Sequence, residues 1–267
     1  HAPRIATQGV EKVKAPAVRP GTYDLVLDPE HLSLTVHESS GHPSELDRAL
    51  GYEANYAGTS FLTTEKRGTF RYGSPCVNLI ADNTEPETLA ATGYDDDGVA
   101  CQKWDIVREG VFVGYCTNRE VASKIGETRS KGSNRADSWS SVPIVRIANI
   151  GLEPGSHSLD NLLADVKLGI YIEGHGSYSI DQRRYNFQFG GDAFWLIENG
   201  KRTQMLRDVI YHGITPEFWH SCDGVADRRH RQRYGFITCG KGQPGQSGWM
   251  THAASHAPFR RVAVMKG

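Results

Sequence analysis

Residues 37–42 have the sequence His-Glu-Ser-Ser-Gly-His, in which a carboxylate follows the first of two imidazoles. Neutral imidazole is the commonest protein ligand for zinc, and three protein ligands with an open fourth position make a hydrolytic site. A carboxylate that lies beside the metal without binding it can take a proton from metal-activated water. The stretch therefore supplies two candidate metal ligands, His37 and His42, and one candidate general base, Glu38.

The spacing of the two histidines predicts an irregular backbone. In the common H-E-x-x-H motif the histidines are four residues apart and share one helical face. His37 and His42 are five residues apart, which separates them by roughly 140° around a regular α-helix. One π-helical turn would bring them back into line, and Gly41 and Pro43 favour such an irregularity. We therefore predict a distorted helix, although two unrelated histidines in a polar segment would also fit the short pattern.

The composition of the whole chain limits its class and its partners. A length of 267 residues with 38% hydrophobic and 23% charged residues is typical of one large globular domain or two modest ones. The formal net charge of −1 provides no long-range field toward nucleic acid or an anionic membrane, and no run approaches the roughly 18 apolar residues of a membrane-spanning helix. The five cysteines are odd in number and include no C-x-x-C pair, which predicts reduced thiols in the cytoplasm.

Hydrophobic periodicity predicts an α+β fold, mainly an antiparallel β-sheet or a barrel-like domain with a few helices. Residues 1–22 contain prolines and are expected to form a linker or weakly ordered N-terminal arm, and residues 23–267 to form the domain. Asn199-Gly200 is the strongest hairpin signal, because this pair suits a type I′ turn. One helix is predicted from residue 32 through the histidine motif and another over 158–167, and a long loop is predicted over 119–141. The predicted strands cover residues 23–28, 76–82, 103–107, 111–116, 142–150, 169–172, 185–189, 193–197, 209–212 and 234–239.

Two stretches near the C-terminus permit more than one interpretation. Residues 228–233 hold four arginines that could contact phosphate, but a solvated loop is favoured because one short cluster in a neutral chain is weak support. Residues 234–239 form an apolar strand that delivers Cys239 into a glycine-rich turn, where glycines permit close backbone approach. Lys241 nearby would favour the thiolate form of Cys239. Taken alone, however, this residue is better explained as a buried, inert thiol.

Seven short motifs occur in a fixed order along the chain. They are His37-Glu38-x-x-Gly41-His42, Asp95-Asp96-Asp97-Gly98, Glu109-Gly110-x-x-x-Gly114-Tyr115, Arg146-x-x-Asn149, Gly169-Ile170-Tyr171, Ile197-Glu198-Asn199-Gly200 and Cys239-Gly240-Lys241-x-Gln243. As an ordered set they resemble the C-terminal half of the TldD/PmbA family of metalloproteases, which also carries an older label as modulators of DNA gyrase. The resemblance extends from about residue 23 to the C-terminus.

This resemblance implies a zinc peptidase that acts on peptides or unfolded segments. It also implies a dimer of two-domain subunits, in which the partner is an identical or a related subunit. Only one of the family's two subunit types carries the histidine motif, so the chain resembles the catalytic type. The resemblance further implies Cys239 as the third zinc ligand beside His37 and His42, with Glu38 as the base.

Other residues are candidates for substrate binding or for support of the site. Arg146 and Asn149 could contact the substrate backbone, or could equally hold hydrogen bonds in the core. The glycine-rich strand from Gly169 to Gly176 could offer an edge to which an extended peptide adds as a further strand. Glu45 could orient one histidine or lie on a helix surface, and His175 and His212 are expected to be structural or surface residues.

Three features depart from the family pattern: the N-terminal domain of catalytic subunits does not precede this stretch, Pro43-Ser44 follows the second histidine, and the arginine-rich run precedes Cys239. Two alternative functions stay open. One is a non-catalytic, peptide-binding or regulatory subunit of the gyrase-modulator type with a structural metal, against which the intact Glu38 argues. The other is a nucleic-acid-binding regulator, suggested by the arginine-rich run alone.

Overall fold

The computed structural model describes residues 2–267. Its helices are α1 (Ala2–Lys14), α2 (Pro29–Val36), α3 (Leu46–Ala49), α4 (Arg119–Ala122), α5 (Leu159–Ala164) and α6 (Thr215–His220). Its strands are β1 (Gly21–Leu27), β2 (Leu79–Asp82), β3 (Lys103–Arg108), β4 (Val111–Phe112), β5 (Asn134–Arg135), β6 (Ile144–Val145), β7 (Ile150–Leu152), β8 (Leu168–Glu173), β9 (Tyr178–Ile180), β10 (Asn186–Gly190), β11 (Ala193–Glu198), β12 (Lys201–Leu206), β13 (Val209–Ile214), β14 (Gln232–Lys241), β15 (Gln246–Ala254) and β16 (Ala257–Lys266).

Two large sheets and one small one account for these strands. The eight-stranded sheet has the order β12-β11-β8-β1-β16-β13-β10-β9, the six-stranded sheet the order β14-β15-β7-β2-β3-β4, and β5 pairs with β6. All pairings are antiparallel except β1 with β8 and β15 with β7. The predicted α+β class is confirmed. Both large sheets of the described chain are open at their edges, so the barrel-like alternative is not adopted.

Local sequence signals explain several of these elements. The β11–β12 hairpin turns at Asn199 and Gly200, whose φ angles of 48° and 80° are those that a type I′ turn requires. The strand predicted over 142–150 is instead divided into β6 and β7. Between these strands the chain carries Arg146 and Asn149, whose buried side chains bond to the backbone of neighbouring segments.

The N-terminal segment differs from expectation, because residues 2–14 form the helix α1 rather than a weakly ordered arm. None of its described side chains is buried. Polar contacts hold it to the eight-stranded sheet: Arg4 and Gln8 bond to Glu173, and Lys12 donates to the carbonyl of Asp192. The boundary at residue 22 stays a prediction. None of the helices within residues 2–267 is both long and apolar enough to cross a membrane.

Helix α2 places the histidine motif between the two large sheets. Pro29 occupies its first turn, and the Asp28 side chain caps it by accepting from the backbone N–H of His31 at 2.8 Å. The helix contacts β14, β15 and β7 of the smaller sheet and β8 of the larger one. Its apolar residues Leu32 and Val36 are fully buried in the shared core. The helical segment that follows is therefore fixed on both sides.

The acidic turn at residues 95–98 organises the long loop over 119–141. Asp95 accepts from the backbone N–H of Asn134 at 3.0 Å, and Asp97 accepts from that of Arg119 at 2.9 Å. Asp96 similarly accepts from Ala136 at 2.7 Å. These carboxylates are engaged by the protein itself, which gives the motif a structural role.

Candidate metal centre

The histidine motif lies on a π-helical turn. Residues His37–Gly41 form this turn, and the backbone N–H of His42 donates to the carbonyl of His37, five residues earlier. The two imidazole centroids are consequently only 5.0 Å apart. A Cβ on Gly41 would lie 3.0 Å from Ile147, so the turn packs closely on the core at this point. The prediction of a distorted helix that aligns the two rings is confirmed.

A third donor, Cys239, reaches the same point from β14. Its Sγ lies 3.6 Å from Nε2 of His42. The donor atoms of His37, His42 and Cys239 all lie within 4.8 Å of one another, and all three residues are buried. The pairing of β14 with β15 shifts register between Phe236 and Cys239. This irregularity redirects side chains at the site. Strand β14 continues to Lys241, so Cys239 lies two residues before its end, whereas the sequence predicts a strand that ends at Cys239 itself.

The outer ring nitrogen of each histidine has its own partner. Nδ1 of His37 lies 2.8 Å from Nε2 of His252, whose own Nδ1 is 3.1 Å from the carbonyl of Ile150. Nδ1 of His42 lies 2.9 Å from a carboxylate oxygen of Glu45. If each Nδ1 donates outward, both Nε2 lone pairs remain free for a metal, as outer partners of ligand histidines commonly ensure. Glu45 therefore orients a histidine, and His252 is a residue that sequence analysis missed.

Burial sets the protonation of the three donors. It lowers the pKa of His37 and of His42 well below the usual value, with added repulsion from His42 on the first and from Arg184 on the second. Both imidazoles are therefore neutral, which is the metal-binding form. Burial raises the pKa of Cys239 to about 11, while the nearby Arg146 opposes that rise. The positive charge that favours the thiolate is thus Arg146 rather than the expected Lys241.

Lys241 instead neutralises a buried acidic cluster behind His42. Its Nζ lies 2.7 Å from Asp47, 3.2 Å from Glu45 and 3.4 Å from Glu53, and all four side chains are buried. Burial alone would lower the pKa of Lys241, but the three carboxylates raise it above the usual value. Glu45 is consequently held between Lys241 and His42. Removing one partner of such a buried set leaves an uncompensated charge, which is costly.

Glu38 lies beside the donors and is paired with Arg184. The buried Glu38 carboxylate forms an ion pair with the partly buried Arg184 guanidinium. Burial raises the pKa of Glu38, and Arg184 opposes this rise. Arg184 has a φ of 64°, which is uncommon for a residue with a side chain. Its backbone is held there by bonds to the carbonyl of Asp181 at 2.9 Å and from the hydroxyl of Thr215 at 2.8 Å. The sequence gave no signal for Arg184, because its contact with Glu38 spans 146 residues.

A cleft of about 530 Å³ opens onto these residues. Strand β9 forms part of its wall and is the outermost strand of the larger sheet, so one of its edges is free among the described residues. The lining consists of the three donors, Glu38 and mostly polar or aromatic neighbours: Leu34, His175, Tyr178, Ser179, Ile180, Arg184, Phe236, Thr238 and Gly240. An extended chain could therefore reach the donors along a sheet edge.

The candidate substrate-binding residues lie away from that opening. Arg146 donates to the carbonyls of Cys239 at 2.5 Å and of Gln246 at 3.3 Å. The Asn149 amide donates to the carbonyl of Asp82 at 3.1 Å. Both residues are buried, and these bonds favour the structural alternative for each.

Gly169 does not lie at a sheet edge. Strand β8 is paired with β1 on one side and β11 on the other, and a Cβ on Gly169 would lie 2.5 Å from the carbonyl of Asp24. The prediction that a peptide adds to this strand is therefore wrong, because both of its edges are occupied. The free edge belongs to β9, a few residues further along the chain.

Three further predictions can be compared with the structure. His175 lines the cleft and stacks on Phe236, so it lies at the site rather than apart from it, whereas His212 is an exposed residue of β13. The arginine-rich run makes ion pairs with carboxylates, including Arg231 with Glu85. These pairs favour the interpretation of the run as a solvated segment.

Residues 20–250 match the family model described as the PmbA/TldA metallopeptidase C-terminal domain. The chain belongs to this family. The resemblance inferred from the ordered motifs is thereby confirmed.

Relatives of the PmbA/TldA family share moderate identity with the chain. A metalloprotease of Methanocaldococcus jannaschii is 33% identical over 213 residues, covering 80% of the chain and 45% of the relative. A metalloprotease of Methanothermobacter thermautotrophicus is 30% identical over 98% of the chain and 54% of its own length. A TldD homologue of Haemophilus influenzae is 29% identical over 91% of the chain and 48% of its own length. The chain thus spans about half the length of the curated relatives it matches.

Solved structures show the same fold at lower identity. TldE from Thermococcus kodakarensis has a TM-score of 0.74 at 19% identity, over 98% of the chain and 54% of that structure. A Thermotoga maritima protein, described as a proposed modulator of a DNA gyrase, has a TM-score of 0.72 at 19% identity, over 97% of the chain and 53% of that structure. At this identity the likeness concerns the fold alone.

Proposed function

We propose that the chain carries the catalytic zinc site of a peptidase that acts on peptides or unfolded segments. The observation that carries the proposal is the meeting of His37, His42 and Cys239 within 4.8 Å beside the buried carboxylate of Glu38. Three protein donors next to an open cleft are the arrangement of a catalytic rather than a structural zinc site. The relatives named as metalloproteases support the same conclusion.

The chemistry of the donors fits zinc. A thiolate with two imidazoles suits zinc rather than magnesium or calcium, which prefer oxygen ligands. His252 and Glu45 engage the outer nitrogens of the two histidines, so the ring orientations are fixed before a metal binds. When bound, zinc would supply a Lewis acid that polarises the scissile carbonyl and makes water acidic enough to be deprotonated.

Glu38 is the proton carrier in this proposal. Its carboxylate accepts a proton from the attacking water and returns that proton to the leaving amine. The raised pKa of Glu38, caused mainly by burial, makes it a stronger base than an exposed carboxylate. Arg184 holds the carboxylate in place through the ion pair. Once Glu38 is protonated, Arg184 can stabilise negative charge that develops on the substrate.

The free edge of β9 is the proposed substrate-binding surface, in place of the Gly169 strand. An extended peptide that pairs with β9 would be recognised mainly through main-chain hydrogen bonds. Tyr178 and Ile180 of this strand line the cleft next to the donors. Side-chain specificity should therefore be loose, and stably folded proteins should resist cleavage because their segments cannot lie extended.

Partners and location belong to the same proposal. The full-length relatives are about twice as long as the chain, and TldE is among the proteins that share its fold. We propose a dimer with an identical or a related subunit, located in the cytoplasm. The alternative of a non-catalytic subunit with a structural metal is less well supported, because Glu38 and an open cleft have no purpose in a closed structural site. Binding to nucleic acid is also disfavoured, since Arg229, Arg231 and Arg233 of the arginine-rich run pair with carboxylates.

The test is elemental analysis of the purified chain together with hydrolysis of an unstructured peptide. We expect one zinc per chain, cleavage that a chelator abolishes, and recovery when zinc is restored. A stable globular protein serves as the control substrate and should stay intact. Tightly bound zinc without any hydrolysis, even after the partner subunit is added, would favour the regulatory alternative.

A further inference from the structure

Cys76 and Cys222 lie side by side outside the metal centre. Their sulfur atoms are 3.8 Å apart although 146 residues separate them in the chain. Cys76 is partly exposed, whereas Cys222 is buried. Neither residue contributes to the cluster of His37, His42 and Cys239. The proposed hydrolytic chemistry therefore does not account for the proximity of these two thiols.

The two thiols have different reactivity. The sulfur–sulfur contact with Cys222 lowers the pKa of Cys76, burial opposes this, and the contact with the Ser74 hydroxyl at 3.1 Å lowers it further. The same contact raises the pKa of Cys222, as does the burial of that thiol. Cys76 is thus the more accessible and the more acidic thiol of the pair. An exposed, low-pKa cysteine next to a second cysteine is the usual arrangement of a redox-sensitive pair.

We propose that Cys76 and Cys222 form a reversible disulfide. The Cys76 thiolate attacks one sulfur of a low-molecular-weight disulfide, breaks its S–S bond and releases one small thiolate. Cys222 then gives up its proton to water, and its sulfur attacks that of Cys76, releasing the second small thiolate. Two protein thiols are oxidised while one small disulfide is reduced to two thiols. The two sulfurs need to approach by only about 1.8 Å to reach the bonded distance.

The disulfide would join the two segments that support the π-helical turn. The hydroxyl of Tyr72 donates to the carbonyl of Ser39 at 3.0 Å, and the indole of Trp219 donates to the hydroxyl of Ser39 at 3.0 Å. These aromatic residues are close in sequence to Cys76 and Cys222 respectively. The segments already meet, since the backbone N–H of Ser74 donates to the carbonyl of Trp219. A disulfide would therefore link the two segments whose Tyr72 and Trp219 side chains bond to Ser39.

The test is oxidation of the reduced, purified chain with oxidised glutathione, followed by peptide mapping without reductant. We expect one cross-link between Cys76 and Cys222, and three of the five thiols titratable after denaturation. The melting temperature should rise by on the order of 5 °C, because a long loop becomes closed. Dithiothreitol should reverse both changes. A wild-type chain that retains only a glutathione adduct on Cys76, without the cross-link, would overturn the proposal.

Two variants serve as controls. Cys101→Ser removes the other partly exposed cysteine and should leave the cross-link intact. Cys222→Ser should stop the reaction at the glutathione adduct of Cys76. Backbone hydrogen exchange over residues 37–44 should be slower in the oxidised wild type and unchanged by glutathione in Cys222→Ser. Equal exchange in oxidised and reduced wild type would refute the link between the disulfide and the π-helical turn, whatever the hydrolytic activity.

Discussion

The metal centre has a local half and a distant half, which the chain builds in different ways. The local half lies within residues 37–45, where one π-helical turn aligns two histidines and Glu38 lies between them. The distant half comes from three separate strands or turns, which supply Cys239, Arg184 and His252. The local half needs only short-range backbone geometry. The distant half requires both sheets to be assembled, so a complete site exists only in the folded domain.

The supports of the two histidines differ in the same way. His42 is supported locally by the carboxylate of Glu45, which is itself paired with Lys241. His37 is supported at a distance by the neutral ring of His252. A carboxylate partner raises the basicity of a ligand imidazole more than a neutral one does. The two ligands are therefore expected to contribute unequally to metal affinity, although the sequence motif presents them as equivalents.

The largest effect should come from the ligand of the distant half. In Cys239→Ser we expect zinc affinity to fall by more than the about 10–100-fold typical of outer-shell partners, because the thiolate itself is lost. Hydrolysis should fall to background with it. Zinc content after dialysis measures the first effect. Cys116→Ser and Cys76→Ser, which alter thiols outside the cluster, should keep full zinc stoichiometry. A folded Cys239→Ser chain with a full complement of tightly bound zinc would contradict the assignment.

The second-largest effect is expected from a change of Glu38, the proposed proton carrier in the local half. Glu38→Gln should lower kcat by about 10²–10⁴-fold while zinc content stays normal, because an amide cannot accept the proton from water. Peptide hydrolysis and elemental analysis on the same sample separate the two roles. Glu120→Gln is a suitable control, since that exposed carboxylate accepts from the hydroxyl of Tyr52 and is not part of the metal cluster. Near-native turnover by the Glu38→Gln chain at normal zinc content would exclude Glu38 as the base.

The third effect concerns His31, which lies on α2 before the motif but outside the metal cluster. Burial lowers its pKa to about 4, from an unfolded value of about 6.5. Because the unfolded chain binds this proton first, stability should fall as the pH drops from about 6.5 to about 4, by about 3 kcal/mol. Below the folded pKa the contribution becomes constant. Denaturant unfolding of the metal-free chain at several pH values measures the slope, which should be shallower in His31→Gln.

The sequence predicts the local half of the metal centre because the backbone geometry of that half is decided within one short segment. A five-residue spacing of histidines cannot align on a regular helix, so the distortion followed from the spacing together with Gly41. The Asn199-Gly200 hairpin was similarly predictable, because its turn requires positive φ at both residues. In each case a single short segment contains all the atoms that decide the geometry.

The distant half could not be predicted from the residues in this way. The family resemblance predicts Cys239 as a ligand, whereas the sequence around Cys239 favours a buried, inert thiol. His252 and Arg184 contact the motif across 215 and 146 residues, distances at which periodicity carries no information. The choice of Gly169 as a sheet edge failed for the same reason. Strand order follows from the packing of the whole sheet, whereas the local pattern of β8 resembles that of any buried strand.

The smallest predicted effect tests whether the charged and neutral supports differ. Glu45→Gln should weaken zinc binding by about 10–100-fold, because the amide can still accept from Nδ1 of His42 but no longer adds negative charge. His252→Gln should weaken it less, since an amide oxygen replaces a neutral acceptor for His37 without a change in charge. Competition with a chromogenic chelator gives both affinities, and the melting temperature of each metal-free chain shows whether folding is intact. Equal losses in the two variants would mean that ring orientation alone matters. A larger loss in His252→Gln would reverse the comparison and make the distant support the stronger one.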